Sequence, residues 1–268
     1  MKNRIVIYHG YCSDGLGAAW AFHQAMPDAL FHPAIHNGTL PPDVTDKEVY
    51  IVDFAYSRDI MLDIKAKAKS VVLLDHHESA MIKLGDLDFC HFDMHRSGAG
   101  MAWDFLFPNK PRHWIINYTE DKDLWNWALP NSREINCNLQ SNPLTLDTLY
   151  RLAKLSADDL IPDGTAMLRY QRNMVTDIVK KAREVEIQGY KVLMVNSPVL
   201  QSEVAGFLAL NRPFGVAWFE NEIGEHVYSL RSRDGGVNVC EIAAHYPGGG
   251  GHPRSAGFRL MGQSQSSL

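Results

Sequence analysis

Apolar segments alternate with amphipathic segments through the first half of the chain. Residues 71–74 form a continuous apolar run with two β-branched residues, which is typical of a strand buried on both faces of a parallel sheet. Further strands are predicted at residues 4–8, 30–35 and 49–52, with a weaker one at 88–92. Helices are predicted at residues 15–22, 58–69, 101–106 and 114–125. This alternation predicts a doubly wound α/β domain with a parallel sheet.

The second half of the chain has a different order of elements. Helices predicted at residues 144–155 and 165–187 would connect the two halves. A smaller α/β domain is expected to begin near Gly189, and residues 226–231 read as the second strand of a hairpin. Its other strands are predicted at residues 190–195, 214–219 and 256–260, and its helices at 203–210 and 240–244.

Histidine and aspartate side chains follow three of the predicted strands in the first half. In chain order they are His9 with Asp14, then Asp53, then Asp75 with His76 and His77. Because the carboxyl ends of parallel strands meet at one edge of a sheet, we expect these side chains to lie close together. A solvated turn has no reason to prefer imidazole, so the pattern favours a metal site over a polar loop.

Composition and charge narrow the function. The 268 residues suffice for two domains, and 46% hydrophobic with 21% charged residues is ordinary for a globular protein. The apolar runs are too short to cross a bilayer, no signal peptide is apparent, and the four cysteines lack paired spacing, so we expect a cytoplasmic protein that does not bind a membrane. A net charge of −5 without a basic stripe argues against long duplex nucleic acid and favours a short nucleotide.

The motifs resemble those of the DHH phosphoesterases. The resemblance rests on His9 with Asp14 and Gly15, then Asp53, the triplet Asp75-His76-His77, Asp121, and the run Gly248–Gly251 followed by His252. It implies a catalytic DHH domain at residues 1–130, a helical connector at 131–188, a substrate-binding domain of the DHHA1 type at 189–262, and a tail at 263–268. It also implies a metal-dependent phosphodiesterase that hydrolyses short oligonucleotides and dinucleotides, including linear dinucleotides from cyclic dinucleotide turnover.

The acidic and imidazole side chains outnumber the ligands of one closed zinc site and predict two divalent ions. We expect manganese, with magnesium, iron or zinc as alternatives. The resemblance implies that Asp53 bridges the ions, that His9 and Asp14 hold one and His76 the other, and that His77 and Asp75 orient ligands. Asp53, His76, His77 and Asp75 form the expected catalytic set, and Asp121 is the expected ligand from the fourth motif, with Asp123 a close second. Cys12 departs from the family pattern, which often has aspartate there, and is interpreted as a small buried residue.

Substrate contacts are expected mainly in the second domain. Glycines allow backbone N–H groups to approach an anion, and Arg231 resembles the arginine that clamps a substrate phosphate in the family. The predicted substrate-binding residues are Arg231, Gly249, Gly250, Gly251, His252, Arg254 and Arg96. The sequence leaves three alternatives open: a single-strand exonuclease, a pyrophosphatase or exopolyphosphatase, and a nucleotide-binding sensor without turnover. It also leaves the oligomeric state open.

Overall fold

The computed structural model describes residues 3–35 and 39–261. The chain forms two compact units, Met1–Leu168 and Arg169–Leu268. The predicted tail at 263–268 lies outside the described residues. The functional domain boundaries at 130 and 188 stay a prediction, because compactness alone does not assign a role to a segment.

A parallel sheet forms the centre of the first unit. Its strands are β1 (Arg4–His9), β2 (Leu30–Ala34), β3 (Glu48–Val52), β4 (Ser70–Asp75) and β5 (Cys90–Phe92). They lie in the order β2-β1-β3-β4-β5, and every neighbouring pair is parallel. The predicted α/β class and parallel sheet are confirmed. The strand order reverses between β1 and β3, and in such folds ligands bind outside the carboxyl ends of the strands at this switch point.

Seven helices lie wholly within the described part of the first unit. They are α1 (Ser13–Ala25), α2 (Arg58–Lys67), α3 (Glu78–Leu84), α4 (Gly98–Leu106), α5 (Trp114–Asp123), α6 (Ser132–Gln140) and α7 (Leu146–Leu152). Neither α3 nor α6 is predicted from the sequence. α3 has one buried residue, Leu84, and α6 buries one apolar residue, Ile135, beside two polar ones, so neither has a clear helical pattern of apolar positions. An eighth helix, α8 (Ile161–Val179), contains the division between the two units.

Alternating side chains bury both faces of the parallel sheet. Val6, Val52 and Leu74 point into a cluster that includes Trp20 of α1. The intervening positions, Ile7, Ile51 and Leu73 among them, point into a second cluster with Met61 and Ile64 of α2. Helices therefore cover the sheet on two sides, which leaves its carboxyl edge as the place for polar side chains.

The outer strands of this sheet are poorly suited to further pairing. β2 carries Pro33, which pairs in register with Tyr8 and has no N–H for a ladder. β5 contains only three residues. Both features make it unfavourable for a further strand to pair at either edge of the sheet.

The second unit contains a mixed sheet. Its strands are β6 (Arg183–Ile187), β7 (Tyr190–Asn196), β8 (Gly215–Glu220), β9 (Glu225–Arg231), β10 (Gly250–His252) and β11 (Ser255–Met261). The order is β10-β11-β9-β8-β7-β6, with β7 and β8 parallel and the other neighbours antiparallel. Helices α9 (Gln201–Leu208) and α10 (Val239–Ala244) pack against it.

The helix predicted at residues 165–187 is too long. α8 ends at Val179, and residues 183–187 form β6, which pairs with β7. From Glu184 to Ile187 polar and β-branched residues alternate, a period of two that favours a strand. Gln188 and Gly189 both have positive φ and make the tight turn between the strands. Within the described residues, no helix is both long and apolar enough to span a bilayer.

We predict that Leu73→Ala destabilises the first unit by about 2–5 kcal/mol, because it removes a fully buried side chain from the centre of the sheet. Leu62→Ala is the matched control, since Leu62 is 43% exposed on α2 and its loss should cost under about 1 kcal/mol. Urea unfolding followed by circular dichroism measures both. Equal midpoints for the two variants would contradict the burial of Leu73.

Candidate metal centre

The switch point of the parallel sheet brings the predicted site residues together. His9 ends β1, Asp53 follows β3 directly, and Asp75 ends β4. Asp14 lies in the first turn of α1, and Asp123 is the last residue of α5. Three strand ends and two helix ends therefore supply the side chains of one polar cluster.

His9, Asp53 and His77 form the first group of potential ligands. Each offers one ligand atom, and these atoms lie within 4.8 Å of one another. His9 Nδ1 is 3.5 Å from Asp53 Oδ2. Separations of this size place the three side chains around a common point, as a metal ion requires.

Asp14, His76 and Asp123 form the second group, with ligand atoms within the same 4.8 Å limit. His76 Nε2 is 3.5 Å from Asp14 Oδ2 and 3.5 Å from Asp123 Oδ2. The same nitrogen is 3.2 Å from Asp53 Oδ1. Asp53 therefore faces both groups, one carboxylate oxygen toward His9 and the other toward His76.

The backbone of Asp53 is held in an uncommon conformation. Its φ of 55° lies in the left-handed region, which non-glycine residues seldom adopt, although aspartate is among the more tolerant. The Asp53 N–H donates to the carbonyl of Leu74, at 2.9 Å, and ties this turn to β4. Strained backbone of this kind clusters at functional sites, where the surrounding structure holds it in place.

Asp75 orients the histidines that follow it. Its Oδ1 accepts a hydrogen bond from the His76 N–H at 2.8 Å and lies 2.7 Å from His77 Nδ1. A carboxylate that engages one imidazole nitrogen fixes the ring and directs the other nitrogen toward a metal. The expectation for Asp75 as an orienting residue agrees with this placement, whereas His77 lies in a ligand group.

The start of α4 holds Asp14 in place. The N–H of Gly98 donates to Asp14 Oδ2 at 2.6 Å, and the N–H of Ala99 donates to Oδ1 at 3.0 Å. A Cβ on Gly98 would lie 2.4 Å from the Cβ of Asp53, so only glycine fits there. Ser97 caps this helix by accepting a hydrogen bond from the Gly100 N–H at 3.2 Å.

The cluster contains more buried carboxylates than positive charge to balance them, and the pKa values of its residues reflect this. Burial raises the pKa of Asp14 well above its ordinary value, and the carboxylates of Asp53 and Asp123 raise it further. Burial also opposes ionisation of Asp53, but contacts with His76 and His9 outweigh it and hold the pKa of Asp53 well below its usual range. Burial lowers the pKa of His76, yet Asp53 and the other two carboxylates overcome it and raise that pKa well above the ordinary value.

These residues fit a divalent cation. Asp53 Oδ2 and Asp123 Oδ2 are buried and accept no hydrogen bond within the described residues. A buried carboxylate oxygen without a donor is costly unless a cation compensates it. The mixture of imidazole and carboxylate suits manganese, iron or zinc, whereas an all-oxygen site would suit magnesium or calcium.

The fourth motif reaches the cluster through Asp123 rather than Asp121. Both oxygens of Asp121 accept backbone N–H groups, from Ala128 at 2.9 Å and Leu129 at 3.3 Å. Helical periodicity carried a signal for this choice, because Ile116, Thr119 and Asp123 recur at spacings of three and four and share one face of α5. Asp123 therefore replaces Asp121 in the candidate ligand set.

The grouping of ligands also differs from the expected one. His9 lies with Asp53 and His77, and Asp14 lies with His76. The difference arises because α4 fixes the Asp14 carboxylate beside His76.

Cys12 lies at the start of α1, where burial and the nearby carboxylates raise the pKa of its thiol well above the ordinary value. A thiol that stays protonated agrees with its interpretation as a small residue beside the site.

The predicted substrate-binding residues outside the cluster have local structural partners. Arg96 donates to the Gly100 carbonyl at 3.0 Å and pairs with Asp104. In the second unit, Arg231 donates to Ser202 Oγ at 2.7 Å, and Arg254 donates to the Gly236 carbonyl at 2.6 Å.

The glycine run forms part of a hairpin. Gly250, Gly251 and His252 constitute β10, which pairs with β11. A Cβ on Gly249 would lie 1.9 Å from the Ala243 carbonyl oxygen, so close packing against α10 requires glycine there. The predicted anion-binding role of this run stays a prediction.

Two solved structures resemble the whole chain. A pGpG-specific phosphodiesterase from Vibrio cholerae aligns with a TM-score of 0.51 at 13% identity, over 97% of this chain and 94% of its own. The DHH domain of a member of the s1p family of ribosomal proteins aligns with a TM-score of 0.50 at 12% identity, over 99% and 84%. The fold is that of DHH-domain proteins. In this DHH fold, the candidate ligands occupy the carboxyl edge of the parallel sheet.

One curated relative has a similar sequence. An uncharacterized protein of Acanthamoeba polyphaga mimivirus is 29% identical over an alignment of 286 residues, which covers 96% of this chain and 68% of the relative. No family model matches the chain.

We predict that Mn²⁺ binding depends on Asp123 and not on Asp121. Asp123→Asn removes a buried charged oxygen from the second ligand group and should weaken Mn²⁺ binding by more than about 10-fold. Asp121→Asn alters contacts with the following loop only and should change the affinity less than about 3-fold. Isothermal titration calorimetry measures both, and the reverse order would restore Asp121 as the ligand.

We also predict that Mn²⁺ affinity rises with pH. The pKa values of His76 and His77 are raised, so protons occupy these imidazoles over a wider pH range and compete with the ion. Affinity should fall as the pH is lowered from 8 to 6, by up to about 10-fold per pH unit for each proton displaced. Calorimetry in buffers of different ionisation enthalpy counts the released protons. Affinity that is constant over this range would contradict imidazole ligation.

Proposed function

We propose that the chain is a metal-dependent phosphodiesterase that hydrolyses short oligonucleotides and dinucleotides to mononucleotides. The observation that carries the proposal is the position of Asp53, whose two oxygens face two separate groups of potential ligands. Paired cations that share a carboxylate are typical of enzymes that cleave phosphate esters. Location at the switch point of a DHH fold agrees with this proposal, because ligands of such folds bind outside the carboxyl ends of the strands there.

The chain's own residues have separate roles in this reaction. His9, Asp53 and His77 would hold one divalent ion, and the second group would hold another. The bound ions would lower the pKa of a bound water, so that hydroxide is available as the nucleophile, and would stabilise negative charge on the phosphate. Asp75 positions His77, and the N–H groups at the start of α4 hold the Asp14 carboxylate in a fixed orientation.

Two observations favour a short substrate. The net charge is −5 and the sequence contains no basic stripe, whereas proteins that bind long nucleic acids use many cations to neutralise phosphates. The Vibrio cholerae protein of the same fold is a pGpG-specific phosphodiesterase, which supports linear dinucleotides as the substrate class. Arg231, His252 and the glycine run would bind the terminal phosphate of such a substrate.

The test is hydrolysis of 5′-phosphorylated dinucleotides by the purified full-length protein with Mn²⁺, followed by chromatography. We predict mononucleotide release, and a loss of more than about 100-fold in kcat/KM for Asp53→Asn. Asparagine keeps the shape of aspartate and tolerates left-handed backbone, so a loss would report the missing charge rather than a changed turn. Asp63→Asn is the matched control, because Asp63 is exposed on α2.

The remaining outcomes separate the alternatives. Nucleotide binding without turnover under Mn²⁺, Mg²⁺, Fe²⁺ and Zn²⁺ would identify a sensor. Preference for long single-stranded DNA would identify an exonuclease, and preference for pyrophosphate or polyphosphate would identify a pyrophosphatase. Any of these three results would overturn the proposed activity.

We predict that Arg231→Ala weakens substrate binding while leaving Mn²⁺ affinity unchanged. Loss of charge-assisted hydrogen bonds to a phosphate should raise KM by roughly 10- to 150-fold. Arg259→Ala is the matched control, because Arg259 is an arginine of the same sheet, 3.8 Å from Glu225. Steady-state kinetics and Mn²⁺ calorimetry provide the two readouts, and an unchanged KM would remove Arg231 from the substrate site.

A further inference from the structure

The segment that follows Asp123 has unusual backbone geometry. Trp125 and Trp127 have φ values of 59° and 53°, both in the left-handed region. Bulky side chains rarely adopt this region, and each such residue costs about 1–3 kcal/mol unless the surroundings hold it. Two strained tryptophans within three positions are therefore maintained by other contacts.

Asp121 provides these contacts. Its carbonyl accepts the N–H groups of Asn126 at 2.9 Å and Trp127 at 3.3 Å. Its carboxylate accepts the N–H groups of the next two residues, Ala128 and Leu129. Four hydrogen bonds to one residue fasten the turn at the end of α5, which explains why Asp121 is buried although it lies outside the ligand groups.

The two indole rings support each other. Trp125 and Trp127 have ring centroids 5.0 Å apart and planes inclined at 74°, and the Arg133 guanidinium lies 4.3 Å from the centre of the Trp127 ring. Trp127 is thus enclosed between a cation and an aromatic neighbour, whereas Trp125 remains 38% exposed. The result is a rigid, partly open aromatic surface.

This aromatic pair follows the candidate metal centre closely along the chain. Trp125 is two residues from Asp123, and two residues span at most about 7 Å of chain. Asp123 Oδ2 itself is 3.5 Å from His76 Nε2 in the second ligand group. A substrate with its phosphate at the cluster would place its adjacent base in the neighbourhood of this part of the chain.

We propose that Trp125, braced by Trp127, is a stacking surface for a nucleobase of the substrate. The inference rests on the proposed function, because it assumes that the ligand of the cluster carries a base. Aromatic stacking needs only a planar ring, so it would accept different bases and would supply affinity where a basic stripe is missing. Asp121 acts here as a positioning residue, because it holds the turn and does not touch the base.

The experiment compares two ligands that differ only in the base. Calorimetry with Mn²⁺-loaded full-length protein measures the affinities of adenosine 5′-monophosphate and of ribose 5-phosphate. We expect the wild type to prefer the nucleotide by roughly 5- to 150-fold, the range that stacking of one base supplies. Trp125→Ala should bring this ratio close to one, and Trp125→Phe should retain a substantial part of it.

Two further variants test the assignment. Phe105→Ala removes another partly exposed aromatic ring of the first unit, on α4, and should leave the ratio at the wild-type value. Asp121→Asn should lower the ratio through the loosened turn while Mn²⁺ affinity persists. Mn²⁺ affinity also reports whether Trp125→Ala is folded, because the ligand groups do not include Trp125.

A wild-type ratio of one, or an unchanged ratio in Trp125→Ala, would overturn the stacking proposal. Both results are obtained without turnover. Failure of the wild type to release mononucleotides from dinucleotides would instead overturn the proposed activity, and the affinity ratio would still decide whether Trp125 binds a base.

Discussion

Mutual repulsion among buried carboxylates is the constraint on which the first unit depends. Asp14 and Asp53 are almost wholly buried, and together with Asp123 they surround a single imidazole nitrogen of His76. Uncompensated charges in such a place cost several kcal/mol each. The folded state of this unit is therefore stable only if positive charge offsets these carboxylates. The imidazoles supply part of it in the form of protons. A divalent cation would supply more and would release those protons, which makes occupation of the site and folding of the unit energetically linked.

Close approach of backbone makes the cluster possible. The helix that begins at Gly98 touches the turn of Asp53 so tightly that no β-carbon fits between them. Gly15 is under a similar limit, because a β-carbon there would lie 2.2 Å from the His9 carbonyl oxygen. These glycines are therefore required because they have no side chain, and not only for their backbone flexibility. They let two helix starts direct backbone and carboxylate groups at the same small volume, while the apolar layers on both sides of the sheet keep that volume fixed.

Much of this arrangement could be predicted from the sequence, because periodicity and strand ends are local signals. The apolar run at residues 71–74 and the histidine and aspartate residues after three of the strands located the sheet and its polar edge. The spacing of Ile116, Thr119 and Asp123 carried a signal for Asp123, but the buried role of Asp121 in a turn has no sequence signature, so Asp121 fitted the motif equally well. The grouping of His9 with His77 depended on distances between side chains of different strands, which the amino-acid sequence does not give. β6 was missed because a helical prediction was continued past the point where the period of the pattern changes.

The edges of the two sheets have a consequence for the behaviour of the protein at high concentration. Because β2 contains a proline and β5 has only three residues, another strand could not form a continuous series of hydrogen bonds with either. In the other sheet, the edge strand β6 carries the charged residues Arg183, Glu184 and Glu186. Natural β-proteins use the same devices to prevent strands of different molecules from joining. Self-association through these three edge strands is therefore disfavoured.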